Sequence, residues 1–220
     1  MLFTDSHCHL DSDEFVNKLK LLLTSCVEQN IHQIIVPSIA PDNWQKVLTL
    51  CSSTSLNNSP QLYACIGIHP WFLKDLTDVH LQSLSLQVQE HKNSIIAIGE
   101  AGIDGVIAKE QDNLRQQQHF FDYQLALAAQ HDLPIIVHHR RSHPEVIALL
   151  KKVKLNRSGI IHAFSGSYQQ ACQYIDLGFK LGIGGTITYS RAIKTIKAIK
   201  KIPSSSIVLE TDAPSMPLFG

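Results

Sequence analysis

Ile95-Ile96-Ala97-Ile98-Gly99-Glu100 is an uncharged run that ends abruptly in a carboxylate. A continuous apolar run of this length reads as a strand buried on both faces, as in parallel sheets covered by helices. An ionised carboxyl at its end costs free energy unless a cation or a hydrogen-bonding partner sits beside it. The pattern recurs on either side. Candidate strands are Leu2–Ser6, Gln33–Pro37, Leu62–Ile68, Ile95–Gly99, Pro134–Val137, Gly159–Ile161, Phe179–Ile183 and Ile207–Thr211. Between them lie stretches of helical period such as Asp42–Cys51, Leu114–His131, Pro144–Lys152, Tyr168–Leu177 and Arg191–Lys200, several opened by Asp, Ser or Pro. Eight strands alternating with helices make this an α/β chain and predict a (β/α)8 TIM-type barrel. A doubly wound open sheet is the other arrangement of such units. It is disfavoured because no G-x-G-x-x-G follows the first strand and polar residues close most strands.

The bulk properties fit a folded protein, with 44% hydrophobic and 17% charged residues in 220. No break in composition divides the chain, so residues 1–220 read as one domain. Lys plus Arg number 19, as do Asp plus Glu, so there is no bulk field to draw nucleic acid or an anionic membrane, and any polyanion must be held by local charge. Five cysteines without a C-x-x-C pair argue against a disulfide framework and a cysteine zinc site, and point to a reducing cytoplasm. The start lacks the basic residues of a secretory signal, and Leu21–Leu23 is too short to cross a bilayer, so no membrane partner is expected. Lys194, Lys197, Lys200 and Lys201 have helical spacing beside Ile193, Ile196 and Ile199. They read as the solvated face of an amphipathic helix, with a phosphate-contacting face as the alternative.

Twelve histidines are many for a neutral chain, and their positions carry the functional reading. His7 and His9 close the first strand one residue apart; a period of two turns both to one face and Cys8 to the other, so two imidazoles can grip one metal. Such a pair at a turn can also be surface histidines. Glu100 closes strand four, His138 strand five, His162 strand six, and Asp212 follows strand eight before Ala213-Pro214. All lie at C-terminal strand ends, the face where barrel enzymes keep their active sites. His139 should point away from that site by alternation.

With Asp5-Ser6-His7-Cys8-His9-Leu10-Asp11, Gly67-Ile68-His69-Pro70, Ile98-Gly99-Glu100, Val137-His138-His139-Arg140, His162-Ala163-Phe164-Ser165-Gly166 and Leu209-Glu210-Thr211-Asp212-Ala213-Pro214 in this order, the chain resembles the TatD-type deoxyribonucleases of the amidohydrolase superfamily from Asp5 to Gly220. The resemblance implies that His7, His9 and Asp212 hold one divalent metal, that His138 and His162 hold a second, and that Glu100 bridges them. It implies hydrolysis of phosphodiester bonds in DNA by water activated between the two cations, which are Zn²⁺, Mg²⁺ or Mn²⁺ on ligand chemistry. Asp212 would take the proton from that water. His69 would contact a substrate phosphate or support the ligands, and Arg140 would pair with phosphate or form a salt bridge at the rim.

The chain departs from the family in two places. Gly102-Ile103-Asp104 keeps only the outline of the usual Gly-Leu-Asp segment, and eight residues follow Asp212 where family members continue through a final helical region. A barrel short of its last helix is therefore expected, with outward side chains of strand eight exposed, and either self-association through the side of strands one and eight or a sequence shortened from a longer natural chain. The same metal site also suits hydrolysis of another ester or amide bond, in a small molecule or an aminoacyl-tRNA. A non-catalytic relic is the third reading.

Overall fold

The computed structural model describes residues 1–53 and 58–219. Its eight parallel strands are β1 (Phe3–Asp5), β2 (Ile31–Pro37), β3 (Gln61–Ile66), β4 (Ile95–Asp104), β5 (Ile135–Arg140), β6 (Gly159–Ile161), β7 (Lys180–Ile183) and β8 (Ile207–Leu209), hydrogen-bonded in sequence order from β1 to β8. The TIM-type barrel expected from the sequence is the architecture observed. Strand residues Ile34, Val36, Ile66, Ile98, Val137, Ile161 and Leu181 share the main core with the helices, and Cys65, Ala97 and Ile136 form a second, smaller cluster.

The helices are α1 (Leu19–Glu28), α2 (Trp44–Ser53), α3 (Asp78–Glu90), α4 (Gly105–Gln111), α5 (Leu114–His131), α6 (His143–Leu150), α7 (Tyr168–Asp176) and α8 (Ile193–Ile199). On α5 the buried face carries two glutamines among its apolar residues, and both serve strand ends. Gln117 Oε1 accepts the Asp104 N–H at 2.8 Å, and Gln124 Oε1 accepts the Ile68 N–H at 2.8 Å. These amides satisfy backbone donors where β4 finishes and where the chain leaves β3, so the strands end in fixed positions. On α8 the covered residues are Thr195 and Ala198, whereas Ile193 is exposed. The amphipathic stripe expected from Ile193, Ile196 and Ile199 is thus rotated.

β4 differs most from expectation, because it continues five residues past Gly99 to Asp104. Its register against β5 shifts between Ile98 and Ala101. Gly102 makes the continuation possible: its φ is +151°, and a Cβ there would lie 2.0 Å from the His138 carbonyl oxygen. Only glycine lets the two backbones approach so closely.

β1 and β8 close the barrel through bonds at the C-terminal rim. The Ser6 N–H donates to Leu209 O at 2.9 Å, and the Asp212 N–H donates to His7 O at 2.8 Å. The Asp5 carboxylate accepts the Thr211 N–H at 3.0 Å and its hydroxyl at 2.7 Å. Strand eight accordingly stops at Leu209 rather than Thr211, since the next residues bend to make these bonds. Leu209 is 51% exposed, as expected for an outward side chain without a covering helix, while Ile207 and Val208 are half-buried. No helix among the described residues follows β8, and none is long and apolar enough to cross a membrane.

Candidate metal centre

Side chains from β4 and β5 and from the segments just after β1, β6 and β8 converge at the C-terminal end of the barrel, around Glu100. Its two oxygens face different partners. Oε2 lies 3.1 Å from His7 Nε2 and 3.4 Å from His9 Nε2, and the same two nitrogens lie 3.6 and 3.4 Å from Asp212 Oδ1. His7 Nε2 and His9 Nε2 are 3.2 Å apart. Oε1 faces the other way, 3.0 Å from His138 Nδ1 and 3.5 Å from His162 Nε2. His162 also stacks on His7, with ring centroids 3.7 Å apart.

The first set has the dimensions of a tetrahedral site. Ligand atoms bonded at about 2.0–2.1 Å to a Zn²⁺-sized ion stand about 3.3 Å from one another. Five donor separations among His7, His9, Glu100 and Asp212 span 3.1 to 3.6 Å. The donor set therefore fits a divalent cation.

The outer ring nitrogens of His9, His138 and His162 each face an oxygen, whereas that of His7 is buried with no hydrogen-bond partner among the described residues. His9 Nδ1 lies 3.3 Å from the Pro37 carbonyl oxygen, which can only accept, so Nδ1 carries the proton and the Nε2 lone pair points to the cluster. His138 meets the Asp104 carboxylate through Nε2 at 3.1 Å, which leaves Nδ1 for Glu100's side. His162 Nδ1 makes an ion-pair contact with Glu210 Oε1 at 3.3 Å. An outer carbonyl or carboxylate that orients the ring is typical of metal-bound histidine. His69 is built the other way round. Its Nδ1 accepts the Trp71 backbone N–H at 3.1 Å, so Nε2 must hold the hydrogen, and it donates to Glu100 Oε1 at 3.2 Å. A ring with that tautomer has no lone pair for a metal. His69 therefore orients the Glu100 carboxylate, although it lies as close to it as the other imidazoles do.

Charge in the cluster is unbalanced without a cation. Burial opposes ionisation of Glu100, yet His69, His162 and His7 hold its carboxyl well below the usual range. Burial likewise opposes protonation of His9, but Asp212 and Glu100 raise it to about 10. His162 rises to about 9 against the same penalty, because of Glu100 and Glu210. Burial pushes His69 down to about 4, which keeps it neutral. Protons thus sit where two buried carboxylates call for positive charge, and a divalent cation would take their place.

The sequence model of the family described as "TatD related DNase" matches residues 4–218. This chain belongs to the TatD family. Among TatD relatives, a protein of Escherichia coli K12 named an uncharacterized metal-dependent hydrolase, YjjV, is 41% identical, over 99% of this chain and 82% of its own length. One from Haemophilus influenzae, named in the same way, is 35% identical over 100% of this chain and 84% of its own. The crystal structure of YjjV superposes with a TM-score of 0.92. A TatD family structure from Entamoeba histolytica, 22% identical with a TM-score of 0.87, shares the fold. The TatD chain described here is a metal-dependent hydrolase on this footing.

The eight candidate site residues, His7, His9, His69, Glu100, His138, Arg140, His162 and Asp212, lie in or around this TatD centre. Arg140 lies on its rim, half exposed, with Nη1 3.8 Å from Asp104 Oδ2 and Cζ 6.0 Å from the centre of the Trp71 ring. His139 is buried outside the cluster beside Phe164 and Tyr174, as alternation required. Two supports were not foreseen, Asp104 and Glu210. Asp104 accepts the Trp71 indole N–H at 2.7 Å with the oxygen that meets His138, and its other oxygen caps α4 through the Val106 N–H at 2.8 Å. Glu210 Oε1 accepts the Ala163 N–H at 2.6 Å, and Gly182 leaves room for its carboxylate. The signal for both was alternation: Asp104 stands four residues beyond Glu100 and Glu210 two before Asp212, each in step with a ligand.

Proposed function

We propose that this chain hydrolyses phosphodiester bonds in DNA with two divalent cations. His7, His9 and Asp212 would hold one, His138 and His162 the other, and Glu100 would lie between them. The observation that supports two sites is the division of Glu100, with Oε2 turned to His7 and His9 and Oε1 to His138 and His162. The donors, four imidazoles to two carboxylates, suit Zn²⁺ best among Zn²⁺, Mn²⁺ and Mg²⁺.

Bound there, the cations would polarise the phosphoryl group and lower the pKa of water toward about 7. The chain's own residues do the rest. His9 and neighbouring imidazoles outweigh burial and keep the Asp212 carboxyl below its usual range, so it is ionised. Its Oδ1 faces the histidines, which leaves Oδ2 to take a proton from the attacking water. Arg140 lies on the rim of the same cleft and can hold a phosphate oxygen. The cleft over the cluster measures about 1130 Å³ and is open to solvent, with Arg140 and Arg141 in its wall. A small-molecule amidase or esterase would instead need a narrow apolar pocket over the metals.

The test is to incubate metal-loaded protein with single-stranded and duplex DNA and, in parallel, with carboxylic ester and amide substrates. Cleavage of DNA that chelator abolishes is the expected result. Turnover of esters or amides with no DNA cleavage would overturn the proposal.

A further inference from the structure

Every lysine and arginine lining the cleft comes from two places on its rim. Arg140 and Arg141 stand at the end of β5, and Arg191 and Lys194 follow β7. The same lining includes Asp11 and Glu14 after β1 and the aromatic pair Trp71 and Phe72 after β3, with Trp71 beside Arg140. In a chain whose formal charge sums to zero, this grouping of cations at the cleft is local. Arg140 has Asp104 nearby, but Arg141, Arg191 and Lys194 have no carboxylate within 4.0 Å among the described residues.

Arg191 is also held in place. Its guanidinium carbon lies 4.3 Å from the centre of the Tyr189 ring. Tyr189 in turn donates its hydroxyl to Pro217 O at 3.0 Å, and the Phe219 N–H donates to Thr188 Oγ1 at 2.9 Å. Lys194 opens α8, where Thr195 Oγ1 accepts the Gly166 N–H at 3.2 Å and ties this helix to the loop after His162. β5 and β7 are two strand spacings apart, roughly 10 Å. The two pairs of cations therefore rise from different parts of the rim.

We infer that Arg191 and Lys194 continue from Arg140 and Arg141 a track for the sugar–phosphate backbone of a nucleic-acid strand. The substrate is then an oligomer gripped at phosphates beyond the one that is cleaved. This rests on the phosphodiesterase reading and names the substrate's size and the residues that measure it. It also takes Lys194 out of the solvated lysine face to which its sequence spacing assigned it, and leaves Lys197, Lys200 and Lys201 there.

The test uses binding without turnover. A fluorescent oligothymidylate is titrated, in chelator and at several salt concentrations, against wild type, an Arg191→Ala/Lys194→Ala double variant and a Lys197→Ala/Lys200→Ala control from the same helix. The first double variant should bind roughly 3- to 10-fold more weakly, and its log–log salt slope should shrink by about 0.7 for each residue lost. The control should match wild type. In metal-loaded form, the Arg191→Ala/Lys194→Ala variant should still hydrolyse bis(4-nitrophenyl) phosphate at the wild-type rate, which also shows that it folds. Equal binding and equal slope in wild type and this variant would overturn the track. Failure of wild type to hydrolyse either the small diester or DNA would strike the phosphodiesterase reading instead, and the binding arm would still decide the track.

Discussion

Glu210 lies two residues before Asp212, and its carboxylate touches the ring nitrogen of His162 that faces away from Glu100. Glu210→Ala should therefore weaken one metal equivalent by about 10- to 100-fold, as removal of such a support commonly does. Glu210→Gln, which keeps an oxygen for the Ala163 N–H, should retain most of the affinity. Metal titration of both variants checks this, and wild-type affinity in the alanine variant would refute the role. Asp212→Asn can still coordinate through oxygen but cannot take a proton, so it should keep metal and fold yet lose at least about 100-fold in kcat. Near-normal turnover would remove Asp212 from proton transfer. The candidate ligands themselves were legible because each stands at or just past the end of an apolar strand, where a titratable group needs a reason to be. His69 was not resolvable from sequence, because only the Trp71 N–H at its Nδ1 fixes which nitrogen bears the proton.

Among the elements, β4 serves the centre twice, since it presents Glu100 to the cluster and Asp104 to His138. The sequence places the end of this strand at Gly99, because a charge followed by Gly102, Asp104 and Gly105 within five residues resembles a loop. The strand continues because the Gly102 backbone nests against His138. Gly102→Ala should thus destabilise the protein by about 3 kcal/mol or more, through both the contact and the backbone conformation, and displace His138. Denaturant unfolding would measure the loss; a change under about 1 kcal/mol would mean that the two strands can part without cost. On α3, Leu81, Leu84 and Val88 show a clear helical period that sequence could have given, whereas α1 buries only Leu23 and offers almost no pattern.

For the whole molecule, barrel closure and the metal centre share residues: Asp5 and Thr211 join the first strand to the segment after the last, and His7 O accepts the Asp212 N–H. Stability should therefore respond to metal and pH together. In metal-free protein His9 and His162 have pKa values raised to about 10 and about 9, above the unfolded value near 6.5. Their contribution is complete below about pH 6.5 and is lost as pH rises through 9 and 10. Thermal melts in chelator should fall over that window, and melts with bound cation should fall less, because the protons have been replaced. Parallel curves would show that the cation does not occupy the proton sites. The barrel was legible as eight apolar runs alternating with helices, but the bonds that close it were not, because β1 and β8 are short and meet through side-chain and rim bonds rather than a ladder.

The central claim, that one cluster divided by Glu100 holds two cations and cleaves DNA, is tested most directly by titrating chelated protein with Zn²⁺ or Mn²⁺ while following cleavage of an oligodeoxynucleotide. Activity should rise and break at two equivalents per chain, and Glu100→Ala should neither reach that stoichiometry nor cleave. Full activity at one equivalent, or saturation with metal without any cleavage of DNA, would contradict it.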